Sequence, residues 1–436
     1  MEKNIVIIGG GFGGLRAALD LARSRAKKMG YRLIVLDKND SHIYTPLLYE
    51  VASGCNDKVI SEYNMAKGVT SRLSDYARAC GFEFYKGEAV SIDFKNRRVF
   101  LKDGSSVDFQ ALVLAVGSET DFFGIPGLAE SALTLKNLED GFRIRKKIMN
   151  LTEEKSKGRE VQIRVMIGGG GATGVESAAE LAGSFHHLAV EGKIGGGDWT
   201  ITLVEAGPRI LPMLPQEISE RARRRLERLG VKVLRDACIK KVNGNRVILA
   251  PRPLKEGESP EELLCDFRTE TEKEFEADIL IWAGGVRANP ALGEWGLEVD
   301  KKGRVATSPT MEVKGKEREN VYAVGDCVFL PDPETGVAAP ALAQAAIAEA
   351  AVAAKNIIYD LEGLNTRVYY KFRAYPVVVP LGGKNAVAYF WHLHLWGPLG
   401  WAVRQAADFR YFLSVLPFRK ALKIWFAGAL IYSHND

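Results

Sequence analysis

Ile5 to Gly14 reads I-V-I-I-G-G-G-F-G-G. Four consecutive β-favouring apolar residues run into Gly9, Gly11 and Gly14 at the G-x-G-x-x-G spacing, and the L-R-A-A-L-D-L-A that follows has the pattern of a helix. A buried strand, a tight glycine turn and a helix N-terminus together make a place for a pyrophosphate, because unpaired backbone N–H groups and the helix dipole face it. In this reading Gly9 permits the turn, Gly11 lets the backbone approach the phosphate, and Gly14 lets helix and strand pack. Arg32 to Asp37, R-L-I-V-L-D, supplies a second strand ending in a carboxylate about 20 residues further on, where a ribose diol needs an acceptor. A dinucleotide is expected here.

The pattern then repeats. Residues 165 to 176, V-M-I-G-G-G-G-A-T-G-V-E, place Gly169, Gly171 and Gly174 at the same spacing, and T-I-T-L-V-E ends in an acid at Glu205. Two fingerprints with strand, helix and terminal acid are far harder to meet by chance than one, so two dinucleotide sites are expected. A carboxylate at Glu205 would accept from a ribose 2′-OH and repel a 2′-phosphate, which favours NADH over NADPH.

The chain has 436 residues, with 59 Lys and Arg against 54 Asp and Glu and a net charge of +5. Its length predicts two or three domains, and so small an imbalance gives no argument for nucleic acid. Cys55, Cys80, Cys238, Cys265 and Cys327 include no C-x-x-C pair, which argues against a zinc site or a redox-active dithiol and fits a reducing, cytosol-facing setting. A strand starting near residue 4 leaves no room for a signal peptide. The longest charge-free run, Asn385 to Val403, contains His392, His394, Gly397, Pro398 and Gly400 and therefore reads poorly as a spanning helix.

Between the fingerprints, S-H-I-Y-T-P-L-L-Y-E-V-A-S-G (41 to 54) is broken by Thr45-Pro46 and reads as a loop over the nucleotide or as a core-packing segment. Short strands are predicted over 81 to 90, 99 to 101 and 111 to 116, and a charged helix over 140 to 157, with Gly158 marking a lobe boundary. The paired His186 and His187 have no third ligand in sight and read as solvated or packed residues rather than a metal site. Pro251 to Glu276 is an acid-rich insertion expected to be an exposed hairpin or mobile loop. Ala277 to Gly285 and Val321 to Asp326 read as strands running into A-G-G and V-G-D, and an alanine-rich helix is predicted from about Pro340.

With these motifs in place the chain resembles the pyridine nucleotide-disulfide reductase superfamily of two-dinucleotide flavoproteins, and within it the type II NADH dehydrogenases, single-subunit, non-proton-pumping NADH:quinone oxidoreductases. The resemblance implies an α/β fold of two Rossmann-like domains followed by a C-terminal amphipathic helical segment. It places an FAD domain over 1–120 and 301–385, an inserted NADH domain over 121–300, and membrane-associating helices over 386–436. It assigns Gly9, Gly11, Gly14 and Asp37 to the ADP half of a tightly bound FAD, with Phe12 and Lys38 as further cofactor-binding residues. Thr45, Pro46, Leu47, Val90, Ala115, Gly117, Asp326, Ala343 and Gln344 complete that site, and Gly169, Gly171, Thr173, Gly174, Glu205, Gly284 and Gly285 take NADH. The family's A-Q-x-A-x-Q motif departs here to A-Q-A-A-I-A, with Ala348 in place of the second glutamine and Glu349 next.

Hydride transfer from nicotinamide to flavin needs stacking and orientation rather than a protein acid or base. Reducing a quinone, however, consumes two protons. Glu176 is the candidate relay, with Gln344 and Lys384 as candidate binders; the plainer readings are a dipole-stabilised helix-terminal acid at Glu176 and a solvated charge at Lys384.

Four of the seven tryptophans, Trp391, Trp396, Trp401 and Trp425, fall in the C-terminal tail, interleaved with Arg404, Arg410, Arg419, Lys420 and Lys423. Aromatic anchors and cations at helical spacing suit helices lying at a membrane surface, on its cytoplasmic face; a dimer interface or additional core helices is the alternative. The implied partners are a membrane quinone and the membrane surface, and the resemblance admits a homodimer. Rival activities are a sulfide:quinone reductase, which needs neighbouring cysteines, a ferredoxin or rubredoxin reductase, and a flavin-bearing sensor.

Overall fold

The structure is a computed structural model that describes residues 3–54, 61–256, 258–259, 262–265, 267, 270–315, 318–391 and 393–432. The chain forms two compact units, each assembled from three segments.

The first unit comprises Met1–Ile43, Thr70–Glu119 and Val286–Tyr375. Its centre is a parallel sheet in which Asn4–Ile8 lies between Arg32–Asp37 and Ala111–Leu114, with Glu83–Lys86 and Val321–Ala323 at the edges. Ile5, Val6, Ile7, Leu112 and Val113 are fully buried, as central parallel strands covered on both faces require. Helices Phe12–Ala22 and Ala343–Leu361 pack against one another. Alanines at 345, 346, 350, 353 and 354 are buried on the second helix, and their small size lets the two backbones approach.

The second unit comprises Tyr44–Val69, Thr120–Gly285 and Pro376–Asp436. It repeats the architecture: Ile163–Gly168 is flanked by Trp199–Val204 and Ile279–Trp282, with Val231–Leu234 outermost, all parallel. Helix Ala172–Val190 follows the first strand, and an antiparallel sheet of Ala237–Asn243, Arg246–Pro251 and Lys273–Glu276 is appended. The fold class is therefore α/β with two Rossmann-like sheets followed by C-terminal helices, as expected.

Three segments differ from expectation. Residues 48 to 53 form a helix, Leu48–Ser53, entered by a turn of 3-10 helix at Thr45–Leu47. Proline is tolerated in a first helical turn because its missing N–H would be unpaired there anyway, so Pro46 starts a helix rather than breaking one. The insertion after Pro251 is not wholly exposed: Leu263, Cys265 and Phe267 are buried in an apolar cluster with Leu249, Leu280 and Trp282. Leu264, between the first two, is 47% exposed. Arg252 fixes the base of this insertion by hydrogen bonds to Asp236 and Glu258.

The tail also departs from an all-helical reading. Ala386–Phe390 and Leu393–Gly397 are strands, paired with Val377–Pro380 in an antiparallel sheet, and Val379, Ala386, Val387 and Ala388 are buried. Helices begin at Pro398, as Pro398–Val415 and Phe418–Tyr432. Among the described residues no helix is long and apolar enough to cross a membrane.

Candidate functional site

The two glycine turns are built alike, each within its own unit. Gly9 and Gly169 have φ of 106° and 108°, left-handed values that suit glycine. Each donates its N–H to the neighbouring strand at 2.8 Å, Gly9 to Leu36 O and Gly169 to Val204 O. A methyl group on Gly14 would lie 1.8 Å from Gly9 O, and one on Gly174 would lie 1.9 Å from Gly169 O, so these glycines permit contact between helix and turn. At Gly11 and Gly171 a methyl group would meet nothing within 4 Å among the described residues. That open space at a helix N-cap with no side-chain cap is what a pyrophosphate would fill, so the residues present fit a dinucleotide at both turns.

The strand-terminal acids hold the turns. Asp37 Oδ2 accepts from Gly10 N–H at 2.6 Å while its Oδ1 accepts from Asn39 N–H at 2.7 Å. Glu205 does the same, taking Gly170 N–H on Oε2 at 2.6 Å and Gly207 N–H on Oε1 at 2.6 Å. A carboxylate oxygen has a second lone pair, so both acids can still receive a ribose hydroxyl. Burial raises the Asp37 carboxyl, opposed by the N–H groups of Gly10 and Asn39.

The sequence did not single out His42 by itself. It is buried, with Nδ1 2.9 Å from Gly10 O and its ring edge-on to Phe12. Burial pushes its pKa down to about 4, so it is a neutral support for the turn.

Elsewhere in the first unit, Asp326 Oδ2 accepts from Ser118 O–H at 2.6 Å, beside Gly117 with a φ of 66°. Glu349, the neighbour of Ala348, is buried, and its Oε2 accepts from Gly325 N–H at 2.6 Å. Burial raises its carboxyl to about 7, against the Gly325 bond and with the help of Asp326. Cys327 is buried with its Sγ directed at Val324 O and Leu114 O, and burial raises its thiol to about 12, which makes it a packing residue. Lys38 and Gln344 are exposed, Phe12, Ala343 and Gly117 are half-buried, Ala115 is buried, and Val90 is exposed on strand Ala89–Asp93.

In the second unit Thr45, Thr173 and Lys384 are exposed, Pro46 is half-buried and Leu47 is buried. Gly284 and Gly285 lie against aromatic rings: a methyl group at Gly284 would come 2.3 Å from Trp282, and at Gly285 2.7 Å from Phe123. Trp282 is itself fixed by its indole N–H, 2.7 Å from Asp121 O.

A network that no motif announced surrounds Glu176. The side chains of Glu176, Arg404, Asp408, Tyr44 and Tyr49 are all buried in this unit. Arg404 Nε donates to both Asp408 oxygens at 3.1 and 3.0 Å, and its Nη2 donates to Pro46 O at 2.7 Å. Tyr44 O–H donates to Asp408 Oδ1 at 2.6 Å, and Arg404 Nη1 lies 3.9 Å from Glu176 Oε1. Burial pushes the Glu176 carboxyl up to about 8, with Arg404 opposing and Asp408 reinforcing the shift. One guanidinium between two acids leaves the second acid protonated near neutrality.

Residues 3–350 match the family model for pyridine nucleotide-disulphide oxidoreductase. The type II NADH:quinone oxidoreductase NdhA of Mycobacterium tuberculosis is 30% identical, over 95% of this chain and 87% of its own. The chain belongs to the pyridine nucleotide-disulphide oxidoreductases and, among them, to the type II NADH:quinone oxidoreductase family. A Haemophilus influenzae type II NADH:quinone oxidoreductase is 28% identical over 81% of this chain and 80% of that one. The demethylphylloquinone reductase NdbB of Synechocystis is 28% identical over 93% of this chain and 91% of its own. The fold matches a solved structure of Plasmodium falciparum NDH2 in complex with NADH at a TM-score of 0.80, 18% identity and 98% coverage of both chains. It also matches the Aquifex aeolicus sulfide:quinone oxidoreductase at a TM-score of 0.74, 17% identity, and coverage of 98% of this chain and 92% of that one.

Proposed function

We propose that this protein is a non-proton-pumping NADH:quinone oxidoreductase that holds FAD at the first glycine turn and exchanges NADH at the second. The observation that carries this reading is the pair of matched turns, each with an open helix N-cap and a strand-terminal acid, in a member of this family. When bound, FAD supplies the chemistry: it accepts a hydride and passes on two electrons. Gly9, Gly11, Phe12, Gly14, Asp37, Lys38, Val90, Ala115, Gly117, Asp326, Ala343 and Gln344 are assigned to FAD, together with Thr45, Pro46 and Leu47. Gly169, Gly171, Thr173, Gly174, Glu205, Gly284 and Gly285 are assigned to NADH.

Glu176 is assigned as the proton relay for quinone reduction. Its support is a carboxyl held near its titration point at neutral pH, which suits a group that must both take and give a proton. Gln344 and Lys384 are assigned to quinone binding. The domain assignment proposed with it is FAD with 1–120 and 301–385 and NADH with 121–300, although residues 44–69 and 376–385 pack in the second compact unit and 286–300 in the first.

The helical tail is assigned to the cytoplasmic membrane surface. Leu399, Phe418 and Phe426 are 65%, 62% and 56% exposed, and cations interleave with them. Such a face suits shallow insertion among headgroups. A homodimer is compatible with this arrangement.

The deciding experiment is anaerobic reduction of the bound flavin by NADH and by NADPH, followed by reoxidation with ubiquinone and menaquinone analogues. Rapid bleaching by NADH and recovery with a quinone are expected. A flavin that NADH bleaches but that no quinone reoxidises would remove this reading in favour of a different acceptor.

A further inference from the structure

Arg221, Arg225 and Arg228 stand on one face of helix Gln216–Arg228, at successive spacings of four and three residues. With Leu381, Asn385, Trp396 and Gly397 they line an open recess of about 220 Å³ in the second unit. The other arginines of this helix have acidic partners on it: Arg223 pairs with Glu220 and Glu227, and Arg224 reaches Glu220, as does Arg235 from beyond the helix. The recess has no such balance. No carboxylate lines it, and among the described residues none pairs with Arg221, Arg225 or Arg228.

Two of these cations have partners that orient them, while Arg228 is exposed. Arg225 donates from Nε to Leu381 O at 3.3 Å and from Nη2 to Gly382 O at 3.4 Å. The Arg221 guanidinium sits 4.2 Å from the centre of the Trp396 ring. The Trp396 indole nitrogen is buried and, among the described residues, has no acceptor. Lys384, exposed in the turn that contributes Asn385, adds a fourth positive charge on the same connection.

Three guanidinium groups facing one space repel one another unless an anion joins them. Planar forks of N–H donors match tetrahedral oxyanions in bidentate fashion, better than ammonium groups do. We propose that this recess is a phosphate-binding site, distinct from both glycine turns, that takes a phosphomonoester or phosphodiester group. Two sources share that chemistry, an anionic phospholipid headgroup and a soluble phosphate. The lining residue Gly397 directly precedes helix Pro398–Val415, which bears the exposed Leu399, so a headgroup is the source expected.

The test uses the full-length flavoprotein and its Arg221→Gln/Arg228→Gln variant, which leaves the anchored Arg225 in place. An Arg224→Gln/Lys232→Gln variant removes the same charge outside the recess. Binding is measured to phosphatidylcholine vesicles with and without about one-third phosphatidylglycerol, and melting is followed in sodium phosphate against sodium chloride of equal ionic strength. Near an anionic surface two cations are worth a factor of about 30 in partitioning, so the recess variant should lose about that much on the mixed vesicles alone. Phosphate should raise the melting temperature of the parent and of the control variant but not of the recess variant. A phosphate shift without vesicle preference supports the site with a soluble ligand. Equal behaviour of recess and control variants in both assays would overturn it. Should the double variant fail to fold, the Arg228→Gln single variant is read in the same way. Pure phosphatidylcholine binding reports on the tail helices, so a failure of membrane association registers separately from a failure of this site.

Discussion

Arg404 Nη1 lies 3.9 Å from Glu176 Oε1 while Arg404 Nε is occupied by Asp408 at 3.0 Å. The guanidinium is committed to Asp408 and Pro46 and only partly offsets the burial of Glu176. This arrangement explains why one acid of the pair titrates near neutrality.

Glu176→Gln is expected to lower kcat with a short-chain quinone by about 100-fold at pH 7, the lower end of the range for loss of a positioned acid or base. Anaerobic flavin reduction by NADH should stay within about threefold of the parent. Stopped-flow absorbance separates the two half-reactions. Unchanged quinone turnover in the variant would sink the relay assignment.

The same carboxyl makes stability depend on pH. Its pKa of about 8 in the fold exceeds the ordinary 4.5, so the native state holds an extra proton between those values. Its stabilising contribution is fully present below about 4.5 and is lost as pH rises towards 8. The fall in denaturant midpoint from pH 5 to pH 8 should therefore be shallower in Glu176→Gln than in the parent. An identical fall would show that Glu176 does not titrate in this window.

Replacing Arg404 with Ala removes one partner of a buried ion pair and leaves Asp408 uncompensated. The expected loss is about 3–5 kcal/mol, measured by urea denaturation of the second unit. The double variant Arg404→Ala/Asp408→Ala should recover part of it. Because Arg404 holds the Glu176 carboxyl down, the milder Arg404→Gln should move the alkaline limb of the quinone-reduction profile to higher pH.

The glycines of one motif should fail in different ways. Gly11→Ala has free space around the new methyl group, so the protein should fold but purify with little flavin absorbance. Gly14→Ala drives a methyl group to 1.8 Å from Gly9 O and should prevent soluble expression. Gly171→Ala should keep its flavin and raise KM for NADH by about tenfold or more. Full flavin content in Gly11→Ala would show that the pyrophosphate does not approach there.

Membrane association is best tested without truncating from residue 386, because Ala386, Val387 and Ala388 are core residues of a sheet. Phe418→Ser/Phe426→Ser removes two exposed aromatic rings instead. Fully burying one such side chain is worth about 1.5–3 kcal/mol, so vesicle partitioning should fall by at least about tenfold even for partial insertion. Unaltered flotation would assign this face to another partner.

The sequence by itself determined the two βαβ units, because their strands, glycine turns and terminal acids obey local rules. Gly9 and Gly169 need left-handed φ, Gly14 and Gly174 have no room for a side chain, and Asp37 and Glu205 close the turns within one motif. Elements whose choice depends on partners elsewhere were read less well. Pro46 served equally as a breaker or a helix start, and residues 386 to 397 joined a sheet because Val377–Pro380 was there to pair with them. Tertiary structure alone decided the environment of Glu176. Tyr44 and Asp408 meet across 364 residues of sequence, and Arg404 reaches Pro46 across 358. No local pattern encodes such a meeting, since it arises only when the folded chain excludes water from all of these groups and they must satisfy one another.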